Sequence, residues 1–460
     1  MKLGHYLTLS LLALVFSLSL HKVYDPDFWM HVAAGEYLWK THTVLHANMF
    51  SFTYPQREWI DVYWLYELVL SWFWQWGQAA AVTAFRIVLV FALVTLVFLG
   101  FRNRRPLLSA SDAGVLLLAW LLLAPRLTDR PELVSFVLFA ATLTLVRRKR
   151  WWWCLPLQLI WANVHGFFCL GPITLALATA SEWISGRRRP AVEAFLASLA
   201  SAAVCVVSPF GWRNWLVLIR GSVTMQTLAG EVEELASPFH PVVRATNGSG
   251  WLLIVFVVLA AIILMANYKS VSAFDWLVMA ASLPLAFSVQ RSIPVFVLAS
   301  LPALLAVTPR MEKPLAGAAV GCLCLALAAG LRIHGREFGV GIASDQFPKQ
   351  AVDFLQSHTH GPLRLFNAEF GSGGYLIARG LPVFIDGRLE AYPTEFVREY
   401  LHALDDDTAF RTMARDHAVT HALVVTTRAD MRLFAQRLNS SPEWKMLYAD
   451  GVAMVFERRP

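Results

Sequence analysis

The sequence predicts an α-helical polytopic membrane protein that ends in a small α/β domain, and three observations predict it. Of the 460 residues, 57% are hydrophobic and 15% charged, whereas a soluble domain carries about 25% charge. Apolar stretches near the length of a membrane span recur up to about residue 335 and then stop. The basic residues stand in short clusters between those stretches, as the bias of cytoplasmic loops requires.

A spanning helix needs about 20 apolar residues. About eleven candidates are present, near 4–21, 64–101, 108–125, 132–146, 151–165, 167–185, 191–207, 250–267, 273–289, 292–308 and 315–332. The second divides into an interfacial or re-entrant piece and a span starting at about residue 79. No small-x-small cleavage site follows the first apolar run, so residues 1–20 are expected to stay as a membrane helix. The 18 Trp residues suit helix ends at a membrane interface.

Arg102, Arg104 and Arg105, the run Arg147–Arg150, Arg187–Arg189, Lys269, Arg310 and Lys313 all fall on one side in this register. That side is cytoplasmic by the positive-inside rule, together with the N-terminus. The net charge of +7 is explained by this clustering, and no nucleic-acid partner is expected. Cys154, Cys169, Cys205, Cys322 and Cys324 lie in apolar stretches and read as small buried hydrophobes.

The opposite side collects the chemically mixed segments. The first loop, residues 22–63, holds Asp25, Pro26, Asp27, His31 and Asp61. Asp25 suits a helix cap, Pro26 the first helical position, and Asp27 the favourable end of the helix dipole. His31 is four residues from Asp27, on the same helical face. A carboxylate there could take a proton from a hydroxyl or hold a divalent cation such as Mg or Mn.

Arg126, Arg130 and Glu132 flank the start of the 132–146 span, and Arg291 sits alone between two apolar runs. They form either helix-end ion pairs or a guanidinium clamp for phosphate. His165, after Asn163, is a structural hydrogen-bonder or a further site member. Glu231, Glu233 and Glu234 read as a solvated acidic loop.

From about residue 345 to 460 the texture changes to strands (363–367, 382–385, 421–426, 444–448, 452–456) and helices (348–358, 394–403, 407–416, 429–438), which predicts a mainly parallel sheet. The segment Glu369–Tyr375 lacks the P-loop Lys and the dinucleotide spacing, so it reads as a tight strand-to-helix turn. Asp386 and Arg388 either pair structurally or form part of a lid.

The motifs Asp25-Pro26-Asp27-Phe28-Trp29-Met30-His31, Arg130-Pro131-Glu132, Trp161-Ala162-Asn163-Val164-His165-Gly166, Ser208-Pro209-Phe210-Gly211, Gly373-Gly374-Tyr375-Leu376 and Phe384-Ile385-Asp386-Gly387-Arg388 are similar to those of a group of bacterial membrane proteins. The layout resembles the GT-C superfamily of integral-membrane glycosyltransferases over nearly the whole chain. The resemblance implies a GT-C-like membrane domain over 1–335 and an extracytoplasmic domain over 345–460, periplasmic or extracellular, in a bacterial inner membrane. It implies transfer of a sugar from a polyprenyl-phosphate-linked donor to an extracytoplasmic acceptor. Asp27 or Asp25 would be catalytic with His31 beside it, and Arg126, Arg130, Glu132, His165 and Arg291 would bind substrate. Asp27 would hold a metal if one is used. The competing class is non-catalytic: a transporter, a lipid-carrier-binding protein or a scaffold for envelope polysaccharide assembly.

Overall fold

The computed structural model describes residues 3–101, 108–229, 232–246, 248–311, 313–330, 337–359, 361 and 363–459. Arg102, Arg104, Arg105, Glu231 and the end of the 315–332 stretch lie outside the described residues. The chain is mostly helical, with one small sheet near its C-terminus. It divides into two compact units: residues 1–22, 80–216 and 229–340, and residues 23–79, 217–228 and 341–460.

The first unit is built from apolar helices. Across the described chain, four are long and apolar enough to cross a membrane: Trp64–Gly100, Gly166–Ile184, Ser249–Ala266 and Gln290–Val307. The Trp64–Phe101 helix breaks at Gly77 and Gln78, where Gln78 takes a left-handed φ of 50°. The break lies just before residue 79, where the sequence divides the stretch. Helix starts follow local chemistry. Ser109 and Asp112 form a reciprocal capping box ahead of Ala110–Leu123. Pro131 opens Pro131–Arg147 with Glu132 in its first turn, where a carboxylate meets the positive end of the helix dipole.

Packing within this unit uses both large rings and missing side chains. Trp120, Trp161, Phe136, Phe168 and Phe256 are fully buried. A Cβ on Gly321 would stand 2.2 Å from Tyr6 and one on Gly317 2.7 Å from Leu3, so these glycines let Pro314–Gly330 lie directly against Leu3–Ser19. In contrast, Trp251, Val255, Val258, Ile262 and Met265 form an exposed stripe at helical spacing along Ser249–Ala266. An uncovered apolar face of that length suits lipid rather than water.

Arg86 is buried among these helices. Arg86 donates through Nε to the carbonyl of Ser19 at 2.9 Å, and its other nitrogens reach the carbonyl of His21 and the carboxylate of Asp129. The guanidinium thus covers carbonyls left unpaired at the end of the Leu3–Ser19 helix.

The second unit contains a four-stranded sheet. Its strands are β1 (Leu365–Asn367), β2 (His421–Val425), β3 (Trp444–Ala449) and β4 (Ala453–Arg458), in the order β1-β2-β4-β3. Only β1 and β2 are parallel; β4 runs antiparallel to both β2 and β3. The expected mainly parallel sheet is therefore corrected. The physical reason is the short β3–β4 turn, in which the Asp450 side chain accepts the N–H groups of Val452 and Ala453. So brief a connection permits only antiparallel neighbours.

The 382–385 run is extended but belongs to no strand of this sheet. Val383 instead exchanges backbone hydrogen bonds with Phe50 and Phe52 of the first loop, 3.0 Å each. The Asn367 side chain satisfies the backbone of Phe384 and Ile385. The segment read as a turn, Glu369–Tyr375, is mostly helix, Phe370–Ala378. Its glycines permit close approach: a Cβ on Gly374 would lie 2.5 Å from the Pro26 carbonyl, and one on Gly373 2.6 Å from that of Ile385.

Candidate functional site

Two groups of charged residues stand out, one in each unit. In the second unit, the Phe28–Thr41 helix positions the acidic motif of the first loop. Asp27, rather than Asp25, is the residue that precedes the helix. Asp25 is buried and its Oδ1 accepts the Asp27 backbone N–H at 3.0 Å, so its role is to hold the turn before the helix. The helix starts at Phe28, not at Pro26 as the sequence suggests, because this side-chain turn takes up the first two residues. Asp27 is half-buried, and its Oδ1 fills the space beside Gly387: a Cβ there would be 2.1 Å away.

His31 directs Nδ1 to Oε1 of Glu67, 2.8 Å away, and both side chains are buried. The rings of Tyr63 and Tyr66 meet the imidazole edge-on. Asp61 is buried next to Glu67. Asp61 Oδ1 accepts the Tyr63 N–H, and the Asp61 and Glu67 carboxyls lie within hydrogen-bonding reach of each other. Burial first, and the negative charge of Glu67 second, push the Asp61 carboxyl well above its ordinary range. Two buried carboxyls side by side cannot both ionise cheaply, so the pair holds a proton.

Asp386 and Arg388 form a closed pair. Arg388 donates from Nε and Nη2 to the two carboxylate oxygens at 2.8 and 2.7 Å, Tyr392 donates its hydroxyl at 2.7 Å, and Asn48 accepts from Nη2 at 2.8 Å. The guanidinium also lies over the Trp59 ring. Burial opposes ionisation of Asp386, but Arg388 outweighs it and holds the carboxyl below its usual range. Of the two sequence readings, the structural pair is the one observed.

In the first unit, Arg126, Arg130, Glu132 and Arg291 come together with Glu234. Arg130 Nη1 is 2.8 Å from each oxygen of Glu234. Arg126 Nη1 is 3.6 Å from Glu234 and 3.6 Å from Glu132, and Arg291 Nε is 3.8 Å from Glu132. Both Glu132 oxygens and Arg291 Nε are buried without a hydrogen-bond partner among the described residues. Burial raises the Glu234 carboxyl, but Arg130 and Arg126 override it and keep the group ionised below the usual range. Glu234 is thus partly exposed but ion-paired, not merely solvated; its two arginines come from helix-end segments about a hundred positions earlier.

His165 is buried and structurally engaged. Its Nδ1 accepts the Phe167 backbone N–H at 3.3 Å and lies 2.9 Å from Ser135 Oγ, which accepts from Trp161 Nε1. A backbone N–H can only donate, so Nδ1 carries no proton and the neutral ring holds its proton on Nε2. His165 packs on Phe167, and Phe167 lies under the Arg291 guanidinium, so His165 reaches the arginine group through that ring.

The sequence reading missed Glu67, Ser135 and Glu234 as members of these groups. Glu67 had a usable signal: an acid inside an apolar helical run demands a partner. No group of three or more His, Cys, Asp or Glu among the described residues is arranged to hold a metal ion, and Asp27 alone does not make a donor set. Compared with known proteins, the chain matches no protein-family model and no curated protein sequence.

Proposed function

We propose that the protein is a multi-pass membrane glycosyltransferase that moves a sugar from a polyprenyl-phosphate-linked donor to an extracytoplasmic acceptor. The observation that supports it is the convergence of Arg126, Arg130 and Arg291 on Glu132 and Glu234, in a unit built of apolar helices. Guanidiniums fit phosphate oxygens in a forked geometry, and stabilising a departing phosphate is the main electrostatic task of such a transfer. Apolar helix faces suit the polyprenyl tail.

In the reaction, the acceptor hydroxyl oxygen bonds to the anomeric carbon as the bond from that carbon to the phosphate oxygen breaks. Polyprenyl phosphate leaves, and the hydroxyl proton passes to a carboxylate. Asp27 is the proposed base, because Asp25 is committed to its turn and His31 to Glu67. About eleven spans, a cytoplasmic N-terminus and an outer C-terminal segment, in a bacterial inner membrane, complete the reading; the placement of the basic clusters supports that orientation.

The test is a lipid-linked-sugar transfer assay with purified protein, together with carrier binding. Arg130→Ala and Arg291→Ala should each weaken carrier binding, and Lys should rescue only partly, because the planar fork is lost. Carrier binding without transfer would assign a carrier-binding role instead. Unchanged binding in both Ala variants would remove the phosphate reading.

A further inference from the structure

We propose that Glu234 is the resident anion of the arginine site and that the phosphate of a lipid carrier binds by replacing it. This rests on the phosphate reading given above and adds how the site is held before its ligand arrives.

The members of the site differ in how they are built in. The side chains of Arg126, Arg130 and Glu132 are 9%, 14% and 5% exposed, and all three sit where one helical segment ends and the next begins. Glu234 is 42% exposed and comes from a three-residue turn, Glu233–Leu235. The arginines and Glu132 form the wall, and Glu234 enters from the open side. Its carboxylate presents two oxygens to one guanidinium, at 2.8 Å each, and a second guanidinium stands 3.6 Å away. Two or three oxygens of a phosphate would take the same donors.

The charges agree with an exchange. Withdrawing Glu234 takes a negative charge from beside Arg130 and Arg126, which an incoming phosphate restores. Glu132 stays as the fixed counter-charge. Its contacts to Arg126 and Arg291 are long, 3.6 and 3.8 Å, and its oxygens accept no hydrogen bond among the described residues. Arg126 and Arg291 thus make only long contacts to Glu132.

The turn is anchored just past Glu234. The Gln290 N–H donates to the Ala236 carbonyl at 2.9 Å, and Gly250 leaves room for the Pro238 carbonyl. Exchange thus moves the Glu234 side chain while Ala236 stays anchored. The Ala236 anchor ties the turn to the Gln290–Ser292 segment that carries Arg291.

The experiment measures binding of farnesyl phosphate and of inorganic phosphate to the full-length protein in detergent. The parent, Glu234→Gln, Glu234→Asp and Arg130→Ala are compared, with thermal unfolding as a check on folding. Removing the competing charge in Glu234→Gln should tighten farnesyl phosphate binding at least about fivefold, while Glu234→Asp, which keeps the charge on a shorter side chain, should tighten it less. Tightening for inorganic phosphate as well supports exchange with the phosphate head alone as the recognised group; tightening for farnesyl phosphate only supports exchange that also requires the lipid tail. If a folded Glu234→Gln binds no better than the parent while Arg130→Ala loses binding, exchange is overturned and the phosphate site stands. If no variant binds either probe, both readings fall.

Discussion

His31 Nδ1 and Glu67 Oε1 lie 2.8 Å apart in the buried interior of the second unit, 36 positions apart in the chain. Removing one member strands the other without its partner. Glu67→Ala is expected to lower unfolding stability by about 3 kcal/mol, as for a broken buried pair, with His31→Ala costing somewhat less. Denaturant unfolding in detergent followed by Trp fluorescence measures both. Parent-like midpoints would show that the contact contributes little.

Asp61 supplies a pH dependence whose sign is fixed. Its folded carboxyl titrates well above the ordinary value of 3.8, because of burial and then of Glu67. The folded state therefore keeps a proton that the unfolded chain loses. This contribution is fully present below pH 3.8 and is lost as pH rises toward the raised value. Asp61→Asn, which is neutral at every pH, should flatten that part of the melting-temperature profile relative to the parent. Parallel profiles would show that the Asp61 carboxyl is not displaced.

Asp27 can be probed from two directions. Asp27→Asn is expected to slow transfer by about 10²–10⁴, the usual worth of a general base, with little change in folding. Gly387→Ala places a methyl where Asp27 Oδ1 now lies, 2.1 Å from it. The atom it meets ends a short side chain that can turn aside, so activity should fall while the melting temperature holds. Gly374→Ala meets the Pro26 carbonyl instead, and backbone must move; a loss of about 1–3 kcal/mol is expected. Full activity in both Asp27→Asn and Gly387→Ala would make Asp27 structural.

Arg86 and Asp129 form a buried pair in the first unit. Arg86→Met also strips the Ser19 and His21 carbonyls of their donor, so it should cost more than Asp129→Asn. Each single change is expected to destabilise by up to about 3–5 kcal/mol. The double variant should lose less than the sum of the two. Strict additivity in that cycle would rule out direct coupling.

Orientation is tested by reporter fusions after Arg105, after Pro238 and at Pro460. The first should report the cytoplasm and the other two the outside. A cytoplasmic signal at Pro460 would reverse the proposed topology.

Apolar run length made the helices legible, and even the break before residue 79, because hydrophobic period and helix-breaking residues are local signals. Four helices of the C-terminal segment were equally visible, whereas Phe370–Ala378, whose start was read as a turn, was not. The sheet direction was not, since it depends on how few residues join β3 to β4. The Glu234 partners were hidden for another reason. An acidic loop reads as solvated until the fold brings Arg126 and Arg130 to it, and no short-range pattern encodes that meeting. Asp386 and Arg388 were flagged together because they are two residues apart, whereas Asn48, which completes their network, is 340 positions away.

The contact between the Phe370–Ala378 glycines and the Pro26–Met30 turn has a consequence for synthesis on the ribosome. Residues 23–79 emerge well before residues 341–460, which complete their unit. Until then the Asn48 side chain lacks Arg388 and Ala391, and the Phe50–Phe52 edge lacks Val383. The early loop must wait, unfinished, while the intervening segment is made. A protein truncated before residue 341 would lack more than a tail: its first loop could not fold. A C-terminal fragment made alone would likewise expose Asp386 and Arg388 without Asn48 and Trp59. Segments 23–79 and 341–460 are therefore one folding step, although about 260 residues separate them.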